Sequence, residues 1–230
     1  MNHICHIVVA AGSGTRFGAP VPKQFCELNG RPLLMTTIER LRSAIPDADM
    51  LLVLSGECVE MWREMCDTCH FSSPRIVEGG ATRWHSVANA LKALPEGVNI
   101  VTVHDGARPI VTKSVVEAVV GAVAGGAHGA IPVVHVTDSL RMVDEDGISH
   151  AVNRVVMRAV QTPQGFKAAE LIEAYSSGYR PEFTDDASVM EFAGFAPLEL
   201  VEGNAANIKV THPFDLATAA MLLDVTPASN

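Results

Sequence analysis

The chain has 230 residues, 48% hydrophobic and 19% charged, enough for one α/β domain with a sizeable core or at most two small ones. A formal net charge of −9 argues against a nucleic-acid binder, which carries a basic face, and requires that an anionic ligand be met by a local cluster of cations. No apolar run reaches the roughly 18 residues of a membrane span, and the N-terminus has no charged segment, apolar core and cleavage site in series, which points to the cytoplasm.

In chain order, the first element is a strand over residues 4–10, a near-continuous apolar run. It ends in a glycine turn, Ala10-Ala11-Gly12-Ser13-Gly14-Thr15-Arg16, with Pro22-Lys23 beyond. Helix-period segments follow over residues 32–42, 57–66, 82–94 and 113–124, alternating with apolar strands over 50–55, 75–78, 100–104 and 129–134. Strands of this kind separated by helices predict a mostly parallel sheet covered on both faces. Ligands of such sheets bind beyond the carboxyl ends of the strands, where the Gly12 turn and Asp105 both fall.

The alternation stops after Val134. Residues 137–160 are polar and β-leaning around Asp144-Glu145-Asp146-Gly147, a good hairpin turn, and the excursion is too long for an ordinary loop. Helices over 167–176 and 185–192, short strands over 198–202 and 207–210, and a closing helix over 213–223 with Thr211 as its N-cap complete the pattern. The last residues, 227–230, read as a loose tail. No internal repeat or low-complexity linker is present, and the early end of the chain after the closing helix predicts no fused downstream domain.

Five cysteines, an odd number, suit a reducing compartment better than a disulfide framework. Cys66-Asp67-Thr68-Cys69-His70 matches the C-x-x-C-H pattern of covalent haem attachment. No export signal accompanies it, and no second cysteine pair completes a tetrahedral metal site. The segment reads instead as a helix end.

The glycine turn holds the chemistry. Glycines let backbone N–H groups approach phosphates closely, and an arginine and a lysine beside them can neutralise a triphosphate. The turn is not a P-loop, because neither Gly12 nor Gly14 starts G-x-x-x-x-G-K-[ST]. It is not a dinucleotide fingerprint either: Phe17 stands where the third glycine of G-x-G-x-x-G belongs, which disfavours a nicotinamide-dependent oxidoreductase.

AAGSGTR from Ala10, PKQF around Lys23, GGATRWHSV from Gly79, HDGARP from His104, TPQGF from Thr162, TDDAS from Thr184 and NIKVT from Asn207 occur in this order. Together they resemble the 2-C-methyl-D-erythritol 4-phosphate cytidylyltransferases of the non-mevalonate isoprenoid pathway, from about residue 3 to about residue 224. The resemblance implies a Rossmann-like three-layer nucleotidyltransferase fold, with a mostly parallel sheet, helices on both faces and a protruding β-arm. It implies one cytidylyltransferase domain over 1–230, with an arm at about 137–160 that clasps a second subunit. The reaction implied is transfer of CMP from CTP to 2-C-methyl-D-erythritol 4-phosphate, releasing pyrophosphate. Ribitol 5-phosphate is the alternative acceptor, and a non-catalytic nucleotide-binding regulator is a third reading that Arg16, Lys23 and Asp105 oppose.

Both reactants are anions, so positioning and charge neutralisation must carry the catalysis. Arginine offers a planar fork to phosphate oxygens and lysine a mobile point charge. By resemblance, Arg16 and Lys23 stabilise the pentacoordinate transition state and the departing pyrophosphate. Asp105 ends a strand at the crevice, and hard oxygen ligation suits Mg²⁺. The resemblance gives it the metal role, while its own chemistry also suits a turn cap before Gly106. His104 reads as packed rather than catalytic. The resemblance brings the backbone of Ala10, Ala11, Gly12 and Gly14, together with Gly80, Ala81 and Ser86, to the cytosine and ribose. Ser86 could equally serve as a polar residue in the first turn of its helix. For the acceptor, the resemblance makes Arg154 and Lys209 the phosphate grip and puts Thr137, Arg108, Thr162 and Thr184 nearby, Thr137 coming from the partner subunit. On chemistry alone, Arg154 could close a hairpin salt bridge and Lys209 could face solvent.

Overall fold

The computed structural model describes residues 2–12 and 21–226. Its main sheet has eight strands. The parallel half comprises β1 (Ile4–Val9), β4 (Asp49–Leu54), β5 (Arg75–Glu78) and β6 (Ile100–Asp105), in the spatial order β6-β1-β4-β5. Beyond β6 lie β11 (Gln164–Lys167) and β7 (Gly129–His135), β11 being antiparallel to both neighbours. β10 (Arg158–Val160) is antiparallel to β7 farther along the strand, and β12 (Glu199–Glu202) is parallel to β7.

Alternation along β1 sorts the core into two layers. Cys5 and Ile7 face α3 (Arg83–Lys92), α5 (Ala168–Ser176) and α6 (Asp186–Phe192), meeting Val87, Leu171 and Met190. Val8 packs on the opposite side with Met35 and Ile38 of α1 (Leu33–Ala44), Trp62 of α2 (Val59–Thr68) and Val116 of α4 (Lys113–Ala124). A period-2 strand between two period-3.6 helical layers can bury both its faces in this way, so the three-layer expectation holds. α7 (Pro213–Val225) closes a smaller cluster with Leu28, Leu33, Ile110 and Val210. Among the described residues no helix is long and apolar enough to cross a membrane.

The hairpin is formed by β8 (Leu140–Val143) and β9 (Ser149–Val152), Leu140 opposite Val152. Its turn is closed where the Asp144 Oδ1 accepts the Ile148 N–H at 2.7 Å. The tail of the segment read as arm, Arg158–Val160, belongs instead to the main sheet as β10.

Three further readings need correction. Residues 207–210 are no strand: the Val210 N–H makes one bond to the Ala107 carbonyl (2.9 Å). Asn207, fully buried, anchors the segment by donating from Nδ2 to the Thr162 carbonyl at 2.9 Å. A side-chain anchor replaces a ladder. The cap of α7 is His212, not Thr211, because Pro213 occupies the first helical position and Asp215 Oδ2 accepts the N–H of both Thr211 (2.8 Å) and His212 (2.7 Å). Proline suits that position since its missing N–H is not needed there. Gln164–Lys167 is the strand β11, so Lys167, expected to start a helix, ends a strand instead. A short hairpin, β2 (Glu27–Leu28) with β3 (Arg31–Pro32), also went unread. The C-x-x-C-H segment ends α2, with Cys66 buried against the Trp62 cluster.

Candidate active site

A cleft of about 470 Å³ opens at the carboxyl ends of β1 and β6. Its walls come from five stretches: Val9 to Gly12, the Lys23-Gln24 turn, Gly80 through Arg83 with Ser86, Asp105 with Ala107, and Lys209 with Thr211. The volume is within the range of pockets that take nucleotide-sized ligands.

The end of β1 is tied to the PKQF stretch, where Gln24, buried, donates from Nε2 to the Ala10 carbonyl at 2.9 Å. Lys23 donates to the Val210 carbonyl at 3.1 Å, which holds its ammonium beside the Lys209 segment. On the facing wall, Gly79 and Gly80 permit an approach that a side chain would block. A Cβ on Gly79 would stand 2.4 Å from the Ala11 Cβ, and one on Gly80 2.4 Å from the His85 Cβ. Ser86 accepts the Gly80 N–H at 3.1 Å and donates to the Thr82 carbonyl at 3.0 Å. It therefore shapes the wall and also satisfies the first turn of α3, whose N-cap is Thr82.

Asp105 is the electrostatic centre. It is 8% exposed, and three cations meet it: Lys209 Nζ at 2.8 Å and Arg108 Nε at 3.5 Å from Oδ2, and Arg83 Nε at 3.7 Å from Oδ1. Burial alone would raise its pKa, but Arg83, Lys209 and Arg108 outweigh burial and hold the carboxyl well below the usual range. Arg108 is fixed in turn by donating to the Asn207 carbonyl at 2.8 Å. Arg83 donates to Asp186 Oδ2 at 2.7 Å. Burial works against the Arg83 charge, yet Asp186 and then Asp105 raise its pKa above the ordinary value.

Beneath Asp105, a neutral histidine sets the backbone. His104 is fully buried, and burial pushes its pKa down to about 4. Its Nε2 faces the Arg108 carbonyl at 3.1 Å, an acceptor only, so Nε2 carries the proton and Nδ1 accepts from Thr162 Oγ1 at 3.0 Å. Thr162 Oγ1 then accepts the Asp105 N–H at 3.1 Å. The packed reading of His104 is correct.

Of the residues singled out in the sequence, Ala10, Ala11, Gly12, Lys23, Gly80, Ala81, Ser86, Asp105 and Lys209 line this one cleft. Arg16 and Gly14 lie outside the described residues. Arg108 stands behind Asp105, and Thr162 is spent on the His104–Asp105 backbone; neither lines the cleft. Arg154 and Thr137 sit at the base of the hairpin, where the Arg154 guanidinium donates to the Thr137 carbonyl. Thr184 is exposed and away from the cleft lining. Gln24, Thr82, Arg83 and Thr211 line the cleft without having been singled out. Arg83 was the readable omission, since a cation at the first position of a helix near a phosphate loop has no use for the helix dipole.

Among the described residues no group of three or more His, Cys, Asp or Glu side chains could hold a metal ion. The donor set at Asp105 nevertheless fits Mg²⁺, which binds through one or two carboxylates plus substrate phosphates rather than in an all-protein cage. Among the described residues Asp105 Oδ1 meets only Arg83, at 3.7 Å, and it is the oxygen placed to take part.

A three-layer α/β sheet with a cation-lined cleft at its strand ends suits a phosphate-bearing ligand. The sequence profile described as 2-C-methyl-D-erythritol 4-phosphate cytidylyltransferase matches residues 4–225. The enzyme of that name from Bacteroides fragilis is 43% identical over 223 residues, covering 94% of this chain and 98% of the relative. Among solved structures, the Thermus thermophilus 2-C-methyl-D-erythritol 4-phosphate cytidylyltransferase is 34% identical with a TM-score of 0.73, covering 95% and 98% of the two chains. The Anaerococcus prevotii 4-diphosphocytidyl-2C-methyl-D-erythritol synthase reaches a TM-score of 0.82 at 25% identity, covering 97% and 99%. The chain belongs to the 2-C-methyl-D-erythritol 4-phosphate cytidylyltransferase family. It is an enzyme of the nucleotidyltransferase class.

Proposed function

We propose that this cleft binds CTP with Mg²⁺ and that the chain transfers CMP to 2-C-methyl-D-erythritol 4-phosphate, giving 4-diphosphocytidyl-2-C-methyl-D-erythritol and pyrophosphate. One observation carries the site assignment: in a chain of net charge −9, Lys23, Arg83 and Lys209 line the same cleft as Asp105. Such a concentration of cations serves an anionic ligand.

In this reading the backbone of Ala10, Ala11, Gly12 and Gly14 and the Gly80, Ala81 and Ser86 wall hold the cytosine and ribose, and the glycines let the triphosphate come close. The phosphate oxygen of the acceptor attacks the α-phosphorus in line, and pyrophosphate departs opposite. Arg16 and Lys23 neutralise the charge that builds on the pentacoordinate phosphorus and the leaving group. Asp105 would hold the metal, which would supply Lewis-acid neutralisation of phosphate oxygens. Lys209, beside Asp105 Oδ2, meets the acceptor phosphate, with Arg108 behind it and Thr162 holding the strand end.

The arm completes a homodimer. Val155 and Val156, each 73% exposed, and the exposed Met142 and Val143 give the arm apolar surface that a second subunit would cover. Thr137 and Arg154, at the base of the hairpin, are then delivered to the acceptor site formed between subunits, near Thr184. The test is pyrophosphate release from CTP and Mg²⁺ with each polyol phosphate in turn. Release with 2-C-methyl-D-erythritol 4-phosphate is expected. Release with ribitol 5-phosphate alone would overturn the acceptor, and none with either would overturn the activity.

A further inference from the structure

Behind the cleft wall runs a chain of charge-bearing groups that neither the glycine turn nor the acceptor grip uses. Asp186, in the first turn of α6, is fully buried. Its Oδ1 accepts the Tyr175 hydroxyl at 2.6 Å, from α5, and its Oδ2 accepts Arg83 Nη2 at 2.7 Å, from the first position of α3. Burying a carboxylate this deeply is costly unless it is hydrogen-bonded and its charge is matched. Here one neutral and one charged donor, from two different helices, do both.

What Asp186 does to Arg83 matters for Asp105. Arg83 faces two carboxylates. It makes a charge-assisted bond to Asp186, but its Nε stops 3.7 Å from Asp105 Oδ1, beyond hydrogen-bond reach. Asp105 Oδ2 is already held by Lys209 at 2.8 Å. An arginine with a single carboxylate in range closes on it as a fork, with two parallel N–H···O bonds. Without Asp186, the carboxylate left for Arg83 is Asp105, and such a pair would fill Oδ1.

We propose that Asp186, aligned by Tyr175, is a positioning residue that holds the Arg83 guanidinium back from Asp105, so that Asp105 Oδ1 stays open to the divalent cation accompanying the triphosphate. The inference rests on the metal role of Asp105 given above. It assigns α5 and α6, which otherwise only cover the sheet, a part in metal–nucleotide binding. Arg83 itself stays in the cleft lining with N–H groups for the phosphates.

Calorimetric titration of CTP at a series of Mg²⁺ concentrations tests this without turnover, with thermal melts as a control for folding. In Asp186→Asn the Mg²⁺ concentration for half-maximal CTP binding should rise ~10-fold, the usual scale for losing a group that orients a metal ligand. Tyr175→Phe keeps the buried charge and removes one bond, so it should shift the requirement in the same direction by a smaller factor. It also serves if Asp186→Asn fails to fold. Replacing Arg83 by Gln should abolish the effect: Arg83→Gln and Arg83→Gln/Asp186→Asn should show the same Mg²⁺ requirement, as a double-mutant cycle demands of groups acting in series. An unchanged requirement in either single variant at Asp186 or Tyr175, or the same shift with Arg83 replaced, would overturn the inference while leaving the metal role intact. CTP binding by the unsubstituted protein that ignores Mg²⁺ would remove the metal role of Asp105 and the inference with it.

Discussion

Around Asp105, charged groups from four parts of the chain are matched within a few ångströms: Arg83 from α3, Arg108 beyond β6, Lys209 from the segment before α7, and Asp186 from α6. The hairpin at β8 and β9 is built the other way. Its bonds are short-range, such as Arg141 to Ser149 at 2.8 Å, and its apolar side chains, Val143 and Ile148 among them, stay exposed. Preorganised dipoles and charges need no reorganisation when substrate arrives. An exposed apolar hairpin gains its stability elsewhere, since two strands alone are marginal in water. The first region is finished within one chain. The second leaves its apolar side chains uncovered.

The sharpest way to break this contrast is chemical. Lys23→Ala and Arg16→Ala should each lower kcat by roughly 100-fold with melting temperature unchanged, measured by pyrophosphate release and thermal denaturation. Near-normal turnover in either would remove the preorganised cleft as the source of catalysis. Next, the arm can be tested by mixing subunits. Lys23→Ala and Arg154→Ala homodimers should both be inactive, yet an equal mixture allowed to exchange should recover about a quarter of the activity. Half of the dimers are then mixed, and each holds one intact site of two. A mixture as inactive as its parents would place Arg154 at the site of its own chain.

A smaller effect separates the cleft floor by pH. His104, and His6 one strand over, are fully buried, and burial pushes both down to about 4 from the ordinary 6.5. Between those values the unfolded chain binds protons that the folded chain does not, so stability should fall as pH drops from 6.5 to 4. The ceiling is roughly 3 kcal/mol for each histidine. Asp105, held below its ordinary 3.8, loses its contribution only below that value. Urea midpoints measured across this range would show the first window; a flat profile above pH 4 would mean the histidines are not held neutral.

Smallest is a pair of glycine substitutions. Gly79→Ala forces a Cβ to 2.4 Å from Ala11 and should cost ~1–3 kcal/mol, with a weaker CTP affinity because the two cleft walls are driven apart. Gly147→Ala, at φ +79° in open space at the hairpin turn, should cost only ~1 kcal/mol and leave CTP affinity unchanged. Equal effects on CTP would erase the distinction between the regions.

Much of this was legible in residue order. The apolar runs that became β1, β4, β5, β6 and β7, and the periodic segments between them, are local signals, and burial on both faces of a strand writes itself as a continuous apolar stretch. The Asp-Glu-Asp-Gly turn of the hairpin is equally local. β11 was not legible, because Gln164-Gly165-Phe166-Lys167 has little strand character of its own. Gly165 lies flat because a Cβ there would meet Val119 of α4 at 2.5 Å, and its pairing with β6 and β7 supplies the rest. The segment 207–210 failed in the opposite sense: β-branched residues promised a strand, but Asn207 bonds to Thr162 rather than to a ladder.

By itself, the sequence determined the layered α/β architecture, the glycine turn at the end of β1 and the family, because these depend on periodicity and on motifs of neighbouring residues. Only the tertiary structure decided the company that Asp105 keeps. The Lys209 ammonium, expected at an acceptor phosphate or in solvent, lies 2.8 Å from Asp105, and Arg83, unremarked in its motif, stands between Asp105 and a buried Asp186. Charges attract through space and not along the chain, so their pairing appears only once the sheet has brought the strand ends together.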